Sequence, residues 1–359
     1  MKIKSIDISY SQKNVDFAKV KKSGVKAVIV RTGYINKTDD EFHNHMKGAI
    51  KAGLDIGVYT YIMSDTVAQA KLEAQQTVER LKDYRGHVNY PVFCDMESEK
   101  YYNNAKYSNR LRTDIIKAFC EEIKKAGYYA ALYINPAWLD NWTFKKELIG
   151  TYDIWLAAWT DDPNKPTKYD YGQTMWQWGA GHVAGINGKV DGDLVYVKYP
   201  AKIRELDKNF LPSGEITRRA SHDVVKSYGQ AAIRTSPQKL DDNIIRRCEK
   251  STDKKEVLYT IDANITVDGV KWLSHTDGIG YSMLIDGAYL FNKVGTYEEY
   301  VTTTKINVRS TPKIAPGNIL GQLDKGSTVY VMGTAVNGWF PCVYKNQKAY
   351  VSAQYVKEG

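Results

Sequence analysis

The sequence is poor in cysteine and contains no long apolar run. Its four cysteines, Cys94, Cys120, Cys248 and Cys342, lie far apart, form no C-x-x-C pair and have no His cluster nearby. This spacing excludes a zinc signature and a compact disulfide framework, and it favours free thiols buried as small hydrophobic side chains. No apolar run reaches about 18 residues, and the opening MKIKSIDISY lacks the apolar region of an export signal. We therefore expect synthesis in the cytoplasm without insertion into a membrane.

Basic residues outnumber acidic ones, but they are spread along the chain. The 359 residues include 50 Lys and Arg against 41 Asp and Glu, which gives a net charge of +9, and no polybasic run occurs. A dedicated nucleic-acid surface is therefore not expected. The mild positive charge instead favours approach to an anionic polymer such as a bacterial cell wall. The sequence also lacks a Gly-rich phosphate loop and a credible His ligand set, so we expect no cofactor and no metal, while the oligomeric state stays open.

The first 200 residues alternate apolar runs with helical patterns. Eight runs have the length and composition of strands, at residues 3–9, 27–32, 55–62, 91–95, 129–135, 153–159, 175–178 and 189–196. Amphipathic segments at 67–84 and 105–126 lie between them, with Ser64 or Asp65 as the expected N-cap of the first. This alternation predicts an α/β fold with a mostly parallel sheet, and eight strands suggest closure into a barrel. Helical segments are clear only in the first half, so we predict an irregular barrel with bare strands near its end.

The composition and periodicity of the sequence change after residue 199. Residues 200–214 are polar, contain two prolines and lack strand periodicity, so we interpret them as a linker. The remaining chain has short strands and a weak internal repeat, because AAIRTSPQK at 231–239 matches INVRSTPKI at 306–314. We therefore predict a domain over 1–199, the linker, and two small all-β modules over 215–293 and 294–359.

A pair of acids ends one of the predicted strands. In PVFCDMESEK, Asp95 and Glu97 are two residues apart, so both would project from one side of a strand end about 6.5–7 Å apart. Two such carboxyls do not ionise independently, and the one in the drier setting keeps its proton to higher pH. A proton donor beside a stabilising carboxylate is the pair that glycoside hydrolysis uses. The alternative is that both acids cap the acidic segment that follows.

Two further acids fall on other predicted strands. Asp7 lies inside the apolar first strand, where a lone buried carboxylate would be costly, and Asp191 lies near the end of the last strand. The alternatives are a half-exposed strand for Asp7 and a turn before Gly192 for Asp191. The four acids converge only if the sheet closes.

Over residues 1–197 the chain resembles glycoside hydrolase family 25, the lysozyme-type N-acetylmuramidases of phage endolysins and bacterial autolysins. The likeness rests on IDISYSQKNVDFAKVKKSGVKAVIVRTGY, AGLDIGVYTY, YPVFCDME, ALYINPAWL, IWLAAW and MWQWG followed by GKVDGD, in this order. It implies a flattened, irregular β/α barrel. It also implies hydrolysis of the β-1,4 bond between N-acetylmuramic acid and N-acetylglucosamine in peptidoglycan.

The resemblance assigns roles to individual residues. Glu97 matches the proton donor and Asp95 its partner, whereas Asp7 and Asp191 match the outer acids of the cleft. Expected substrate contacts, for which packing or loop solvation is the alternative, are Arg31, Tyr61, Tyr133, Trp159 and Gln177. The chain departs from the family at Thr60, where a His or a related ring is common.

The C-terminal modules resemble bacterial SH3-like wall-binding modules, more clearly over 300–359 than over 215–293. Groove contacts to wall peptides are expected from Trp272, Trp339, Tyr350 and Tyr355, although both tryptophans could instead be core residues. The predicted catalytic domain and wall-binding modules together resemble a phage-type endolysin. Such an enzyme would act on the wall after the membrane is breached, as by a holin. A non-catalytic wall-binding protein and a glycosidase acting on chitin-like polymers are the alternatives.

Overall fold

The computed structural model describes residues 2–359 apart from 103, 161, 163, 166, 213–215, 241, 242, 278, 279 and 287. The chain forms two compact units, Met1–Ser213 and Gly214–Gly359. The last two residues of the predicted linker, 213 and 214, and the first residue of the predicted module, 215, lie outside the described residues. Among the described residues, no helix is both long and apolar enough to cross a membrane.

The first unit alternates strands and helices. Its strands are β1 (Ile3–Ile8), β2 (Ala27–Tyr34), β3 (Lys37–Thr38), β4 (Asp55–Tyr61), β5 (Val92–Asp95), β6 (Ala130–Ile134), β7 (Asp153–Ala157), β8 (Met175–Gly181) and β9 (Val190–Val195). Its helices are α1 (Phe17–Lys22), α2 (Phe42–Ala52), α3 (Val67–Arg80), α4 (Asn109–Lys125), α5 (Lys145–Leu148) and α6 (Tyr199–Glu205). The eight predicted strands are therefore present, and helices α1, α2, α5 and α6 are additional to the two segments singled out in the sequence.

The strands close into an eight-stranded barrel. The sheet order is β1-β9-β8-β7-β6-β5-β4-β2, and β1 pairs with β2 to complete the ring, while β3 extends β2 as a short hairpin. Within the ring of eight strands, all neighbouring pairs are parallel except those of β9, which runs antiparallel to both β8 and β1. The predicted barrel is thus confirmed as a mixed one. Long helices follow β4 and β5, whereas β8 and β9 are joined without a helix, as the late sequence indicated.

The N-cap of helix α3 is Thr66 rather than Ser64 or Asp65. The Thr66 hydroxyl accepts a hydrogen bond from the backbone N–H of Gln69, which satisfies one free donor of the first turn. Ser64 instead donates to Glu73, so its hydroxyl is already engaged.

The segment predicted as a linker belongs to the first unit, and that prediction is wrong for its described part. Tyr199 and Ile203 of α6 are buried with Leu211 in the core of the barrel. Asn209 is fully buried, donates to the carbonyls of Val88 and Tyr90, and accepts from the backbone N–H of Tyr129. A polar sequence hid this role because the members of the core cluster, Tyr199, Ile203 and Leu211, are spaced by four and eight residues among polar ones.

The second unit is all-β. Its strands are β10 (Ile216–Ser227), β11 (Ala232–Arg234), β12 (Ile244–Arg247), β13 (Leu258–Val267), β14 (Val270–His275), β15 (Tyr281–Met283), β16 (Ile285–Asp286), β17 (Ala288–Tyr289), β18 (Phe291–Thr296), β19 (Glu298–Thr302), β20 (Ile306–Arg309), β21 (Ile319–Leu323), β22 (Thr328–Val331), β23 (Trp339–Tyr344), β24 (Gln347–Ser352) and β25 (Val356–Glu358). They form two antiparallel seven-stranded sheets, with β16 and β17 as a separate hairpin.

The two sheets repeat one topology. Their orders, β12-β11-β15-β14-β13-β10-β18 and β21-β20-β24-β23-β22-β19-β25, correspond strand for strand. The aligned arginines make the same contact, since Arg234 donates to Asn243 Oδ1 at 2.9 Å and Arg309 donates to Asn318 Oδ1 at 2.7 Å. The internal repeat is therefore confirmed in three dimensions.

Candidate active site

A cavity of about 130 Å³ lies at the carboxyl ends of the parallel strands. Ten residues line it, namely Asp7, Arg31, Tyr59, Tyr61, Asp95, Glu97, Tyr133, Trp155, Gln177 and Asp191. Alternation along the strands puts them on one face, because every second side chain of a strand points into the barrel. All four predicted acids and four of the five predicted substrate contacts therefore meet in one place.

The two acids of the D-x-E motif differ in depth. Asp95 is the last residue of β5 and is 2% exposed, whereas Glu97 is exposed just beyond the strand end. Among the described residues, Asp95 Oδ1 is buried without a hydrogen-bond partner. The inner acid thus has an open acceptor, and the outer acid is accessible from solvent.

Loss of hydration is the main cause that raises the pKa of each acid. It raises the pKa of Asp95 well above its usual range, with the charge of Glu97 as the next contribution, while Arg31 opposes the shift. Loss of hydration also raises the pKa of Glu97; a hydrogen bond from Tyr133 opposes this, and the charge of Asp191 adds to it. The sequence predicted that the carboxyl in the drier setting keeps its proton to higher pH. In the structure the drier Asp95 holds its own proton more tightly, and Asp191 is the acid that acts on Glu97.

Asp7 and Asp191 are direct partners across the antiparallel pair of β1 and β9. Burial, followed by the charge of Asp191, raises the pKa of Asp7 to about 8. Burial also raises the pKa of Asp191. The barrel interior therefore holds several carboxyls that cannot all be ionised together at neutral pH.

Gln177 connects the acids to the aromatic side of the cavity. Its Oε1 accepts from the Trp159 indole N–H at 2.9 Å and from the Tyr133 hydroxyl at 3.0 Å, and its Nε2 donates to Asp7 Oδ2 at 2.9 Å. Because an indole N–H can only donate, the amide of Gln177 has a single orientation. Trp159 itself is 65% exposed and lies outside the cavity lining, so it reaches the site through this hydrogen bond.

Arg31 closes another side of the cavity. Its Nε lies 2.7 Å from Asp39 Oδ2, and its guanidinium carbon lies 4.7 Å from the centre of the Tyr10 ring. Asp39 is held in turn by the backbone N–H groups of Tyr10 and Glu41. Arg31 is thus fixed in position, and its charge is partly balanced before any ligand binds.

Three functional positions were missed in the sequence. Tyr59 and Trp155 line the cavity, and Asp193 lies buried beneath it, where it accepts from the Trp155 indole N–H at 2.9 Å and from the Ser5 hydroxyl at 3.4 Å. Burial raises the pKa of Asp193 well above its usual range, with the charge of Asp7 as the next contribution. A count of two residues back from Tyr61 or forward from Asp191 would have found Tyr59 and Asp193. Trp155 was hidden in an apolar run.

Thr60, the departure from the family pattern, faces away from the cavity. Its hydroxyl makes hydrogen bonds with Thr32 at 2.7 Å and with Thr77 of helix α3 at 2.8 Å. The residue at this position therefore packs the barrel against a helix and does not contact a ligand in the cavity.

The predicted wall contacts fall into two groups. Trp272 is 3% exposed and packs with Ala263, Ile265, Val267 and Tyr281, so its predicted contact with a ligand is wrong, because no ring face is available. Trp339 and Tyr350 are half-buried and lie on the face of their sheet opposite its core, and Tyr355 is 42% exposed.

No group of three or more described His, Cys, Asp or Glu side chains has the arrangement of a metal site. The described residues thus define a closed β/α barrel whose strand ends enclose a carboxylate-rich cavity. The model described as Glycosyl hydrolases family 25 matches residues 6–186, half of the chain. The chain belongs to this family.

Individual relatives match parts of the chain. An autolytic lysozyme of Clostridium acetobutylicum is 25% identical over 198 residues, which are 53% of this chain and 55% of that protein. A beta-N-acetylglucosaminidase of Bacillus subtilis is 39% identical over 64 residues, 18% of this chain and 6% of that protein. Among solved structures, the modular autolysin LytC of Streptococcus pneumoniae is 29% identical with a TM-score of 0.48, covering 54% of this chain and 47% of its own. The chain spans about half or less of the length of each of these proteins.

Proposed function

We propose that the chain is a peptidoglycan hydrolase that cleaves the β-1,4 bond between N-acetylmuramic acid and N-acetylglucosamine. One observation carries this proposal: Asp7, Asp95, Glu97 and Asp191 surround a single cavity in a chain that belongs to Glycosyl hydrolases family 25. The match to a protein named autolytic lysozyme supports the choice of substrate.

Glu97 is the proton donor in this proposal. It is the exposed member of the acid pair, so a glycosidic oxygen can reach it, and its raised pKa keeps the carboxyl protonated to higher pH than an ordinary glutamate. Glu97 gives its proton to the leaving oxygen as the bond from that oxygen to the anomeric carbon breaks. General acid catalysis of this kind contributes about 10²–10⁴ in rate.

Asp95 assists the anomeric centre without attacking it. Its carboxyl is buried and comes from the same strand end as Glu97, so a position on the opposite side of the sugar is not available to it. The carboxyl of Asp95 lines the acid cavity and suits the N–H of the substrate's 2-acetamido group. The acetamido oxygen then bonds to the anomeric carbon and forms an oxazolinium ring. Water later attacks this carbon, the bond to the acetamido oxygen breaks, and the water gives a proton back to Glu97. Direct inversion by an activated water is the alternative outcome.

The remaining polar groups hold the site in place before substrate binds. Gln177 fixes Asp7, and Asp191 adds negative potential beside the positive charge that develops in the transition state. A neighbouring cavity of about 490 Å³ shares Arg31 and Tyr61 with the acid cavity and is also lined by Tyr10, Tyr34 and Lys37. Its size and its aromatic rings suit further sugar units of the same strand.

Product analysis tests the proposal. Purified cell walls are digested, the new reducing ends are reduced with borohydride, and the resulting sugar alcohols are identified. Muramicitol is the expected product, whereas glucosaminitol would show a glucosaminidase. If neither sugar alcohol is formed, a non-catalytic wall protein is favoured. Turnover of chitin oligomers in preference to peptidoglycan would indicate the chitin-directed alternative.

We further propose that the second unit attaches the enzyme to the cell wall as a pair of SH3-like modules. The repeated strand order and the half-buried pair Trp339 and Tyr350 on the outer face of their sheet support this role, and two modules on one chain raise the effective concentration at a polymer. A phage endolysin, made in the host cytoplasm and released through a holin, is the biological setting that we propose. Binding of the chain to walls of several species, with and without residues 216–359, tests the targeting role.

A further inference from the structure

A second large groove lies on the outside of the barrel. It has a volume of about 510 Å³ and runs over the outward faces of β1, β9 and β8, where no helix of the described chain is inserted between β8 and β9. Its lining includes Lys2, which directly precedes β1, Lys4 of β1, Trp178 and His182 from the region of β8, and Gly192 of β9. The acid cavity does not include any of these residues.

Trp178 forms an aromatic surface in this groove. A Cβ atom on Gly192 would lie 2.5–2.9 Å from three atoms of the Trp178 indole, so the ring rests directly on the backbone of β9. Trp178 is half-buried, which leaves part of the ring accessible. An aromatic ring held against a strand and partly open to solvent can stack on the apolar face of a pyranose.

The charged side chains of the groove are complementary to an anion. Lys2 and Lys4 are exposed on the outward side of β1, and His182 is exposed beside Trp178. Among the described residues of the lining the one acid is Asp193, and its carboxyl is engaged by Trp155 and Ser5 inside the barrel. The described lining therefore presents positive charge without a facing carboxylate.

Strand β9 separates the groove from the acid cavity. Asp191 lines the cavity, whereas its neighbours Val190 and Gly192 line the groove on the other side of the strand. From Val190 to Leu194 the groove extends about 13 Å along β9, at the rise per residue of an extended strand. This length is enough for two to three sugar rings. A long glycan that passes over the end of β9 could thus contact both sites.

We infer that this outer groove binds a second stretch of the polymeric substrate, a glycan strand that bears carboxylates. Trp178 stacks on a sugar ring, and Lys2 and Lys4 pair with the carboxylates of lactyl or peptide substituents. The inference rests on the proposed function for the identity of the polymer. Binding in the groove raises the affinity of the enzyme for long glycan strands, and the groove takes no part in bond cleavage.

The test compares long and short substrates with the full chain. W178A and the double variant K2A/K4A are expected to lower kcat/KM on long peptide-bearing glycan strands about three- to tenfold, through KM, and to leave kcat/KM on a tetrasaccharide unchanged. W178F, which keeps a ring, should retain most of the activity on long strands. K47A/K71A removes two exposed lysines from helices α2 and α3 and is the charge-matched control.

Three results would overturn the inference: unchanged kinetics on long strands, an equal loss on both substrates, or an equal loss in K47A/K71A. If the unsubstituted chain hydrolyses neither substrate, the proposed function fails. The groove is then tested by the affinity of long strands for E97Q and for E97Q/W178A. Weaker binding by the double variant supports the groove, and equal binding overturns it.

Discussion

Asp7 and Asp191 stand opposite each other across two antiparallel strands, although one lies in the first strand of the barrel and the other in the last. This pairing exists because β9 returns to β1 and closes the ring. The same closure brings both residues to the cavity that holds Asp95 and Glu97. The carboxylate cluster is therefore a direct consequence of barrel closure.

The buried Asp7 should cost stability at high pH. Its pKa is about 8 in the folded chain and about 3.9 in an unfolded one, so the folded state binds the extra proton between these values and its stability falls as pH rises. D7N keeps an acceptor for Gln177 without the charge. We expect D7N to melt at least about 2 °C above the unsubstituted chain at pH 8 and to lose this advantage near pH 4. The exposed D170N is the control in calorimetry, and equal melting of D7N and the unsubstituted chain at pH 8 would contradict the assignment.

The charge of Asp191 should set the upper pH limit of activity. Because this charge raises the pKa of Glu97, D191N should move the basic limb of kcat/KM to lower pH. D95N should move the limb less, since the deeper Asp95 holds its proton while Glu97 titrates. Normalised pH profiles of both variants check this order, and a larger shift in D95N would reverse it.

Asn209 should be essential to the first unit despite its polar neighbourhood. N209A removes three hydrogen bonds and places alanine at a φ of 60°, so we expect a loss of about 2–4 kcal/mol in the free energy of unfolding. The exposed E205A should change it by less than about 0.5 kcal/mol. Urea unfolding of the two variants decides whether residues 200–212 act as structure or as a linker.

Trp339 should contribute to attachment to the wall. W339A removes the half-buried ring from the outer face of its sheet, and we expect the fraction of chain bound to purified walls to fall at least about threefold. I314A, which removes the side chain of a residue 82% exposed in the same module, is the matched control. If W339A sediments with walls as fully as I314A does, another surface makes the contact.

Much of the barrel could be predicted because its apolar runs and helical patterns are local. The acids at Asp7, Asp95, Glu97 and Asp191 stood out for the same reason, as polar residues at the ends of apolar strands. Helix α6 could not be predicted from its own sequence. Its side chains pack against residues from several strands of the barrel, and a short segment carries no information on these distant contacts. Trp272 shows the opposite limit: a tryptophan in a short strand has the same local signal whether it faces a core or a ligand.

The catalytic role of Glu97 is tested most directly by a pair of isosteric variants. E97Q removes the transferable proton, while E99Q changes an exposed glutamate two residues along the same segment. Release of reducing ends from purified peptidoglycan should fall at least about 10²-fold in E97Q and stay at the unsubstituted level in E99Q, with both variants melting normally. Full activity in a folded E97Q chain would contradict the proposed muramidase mechanism.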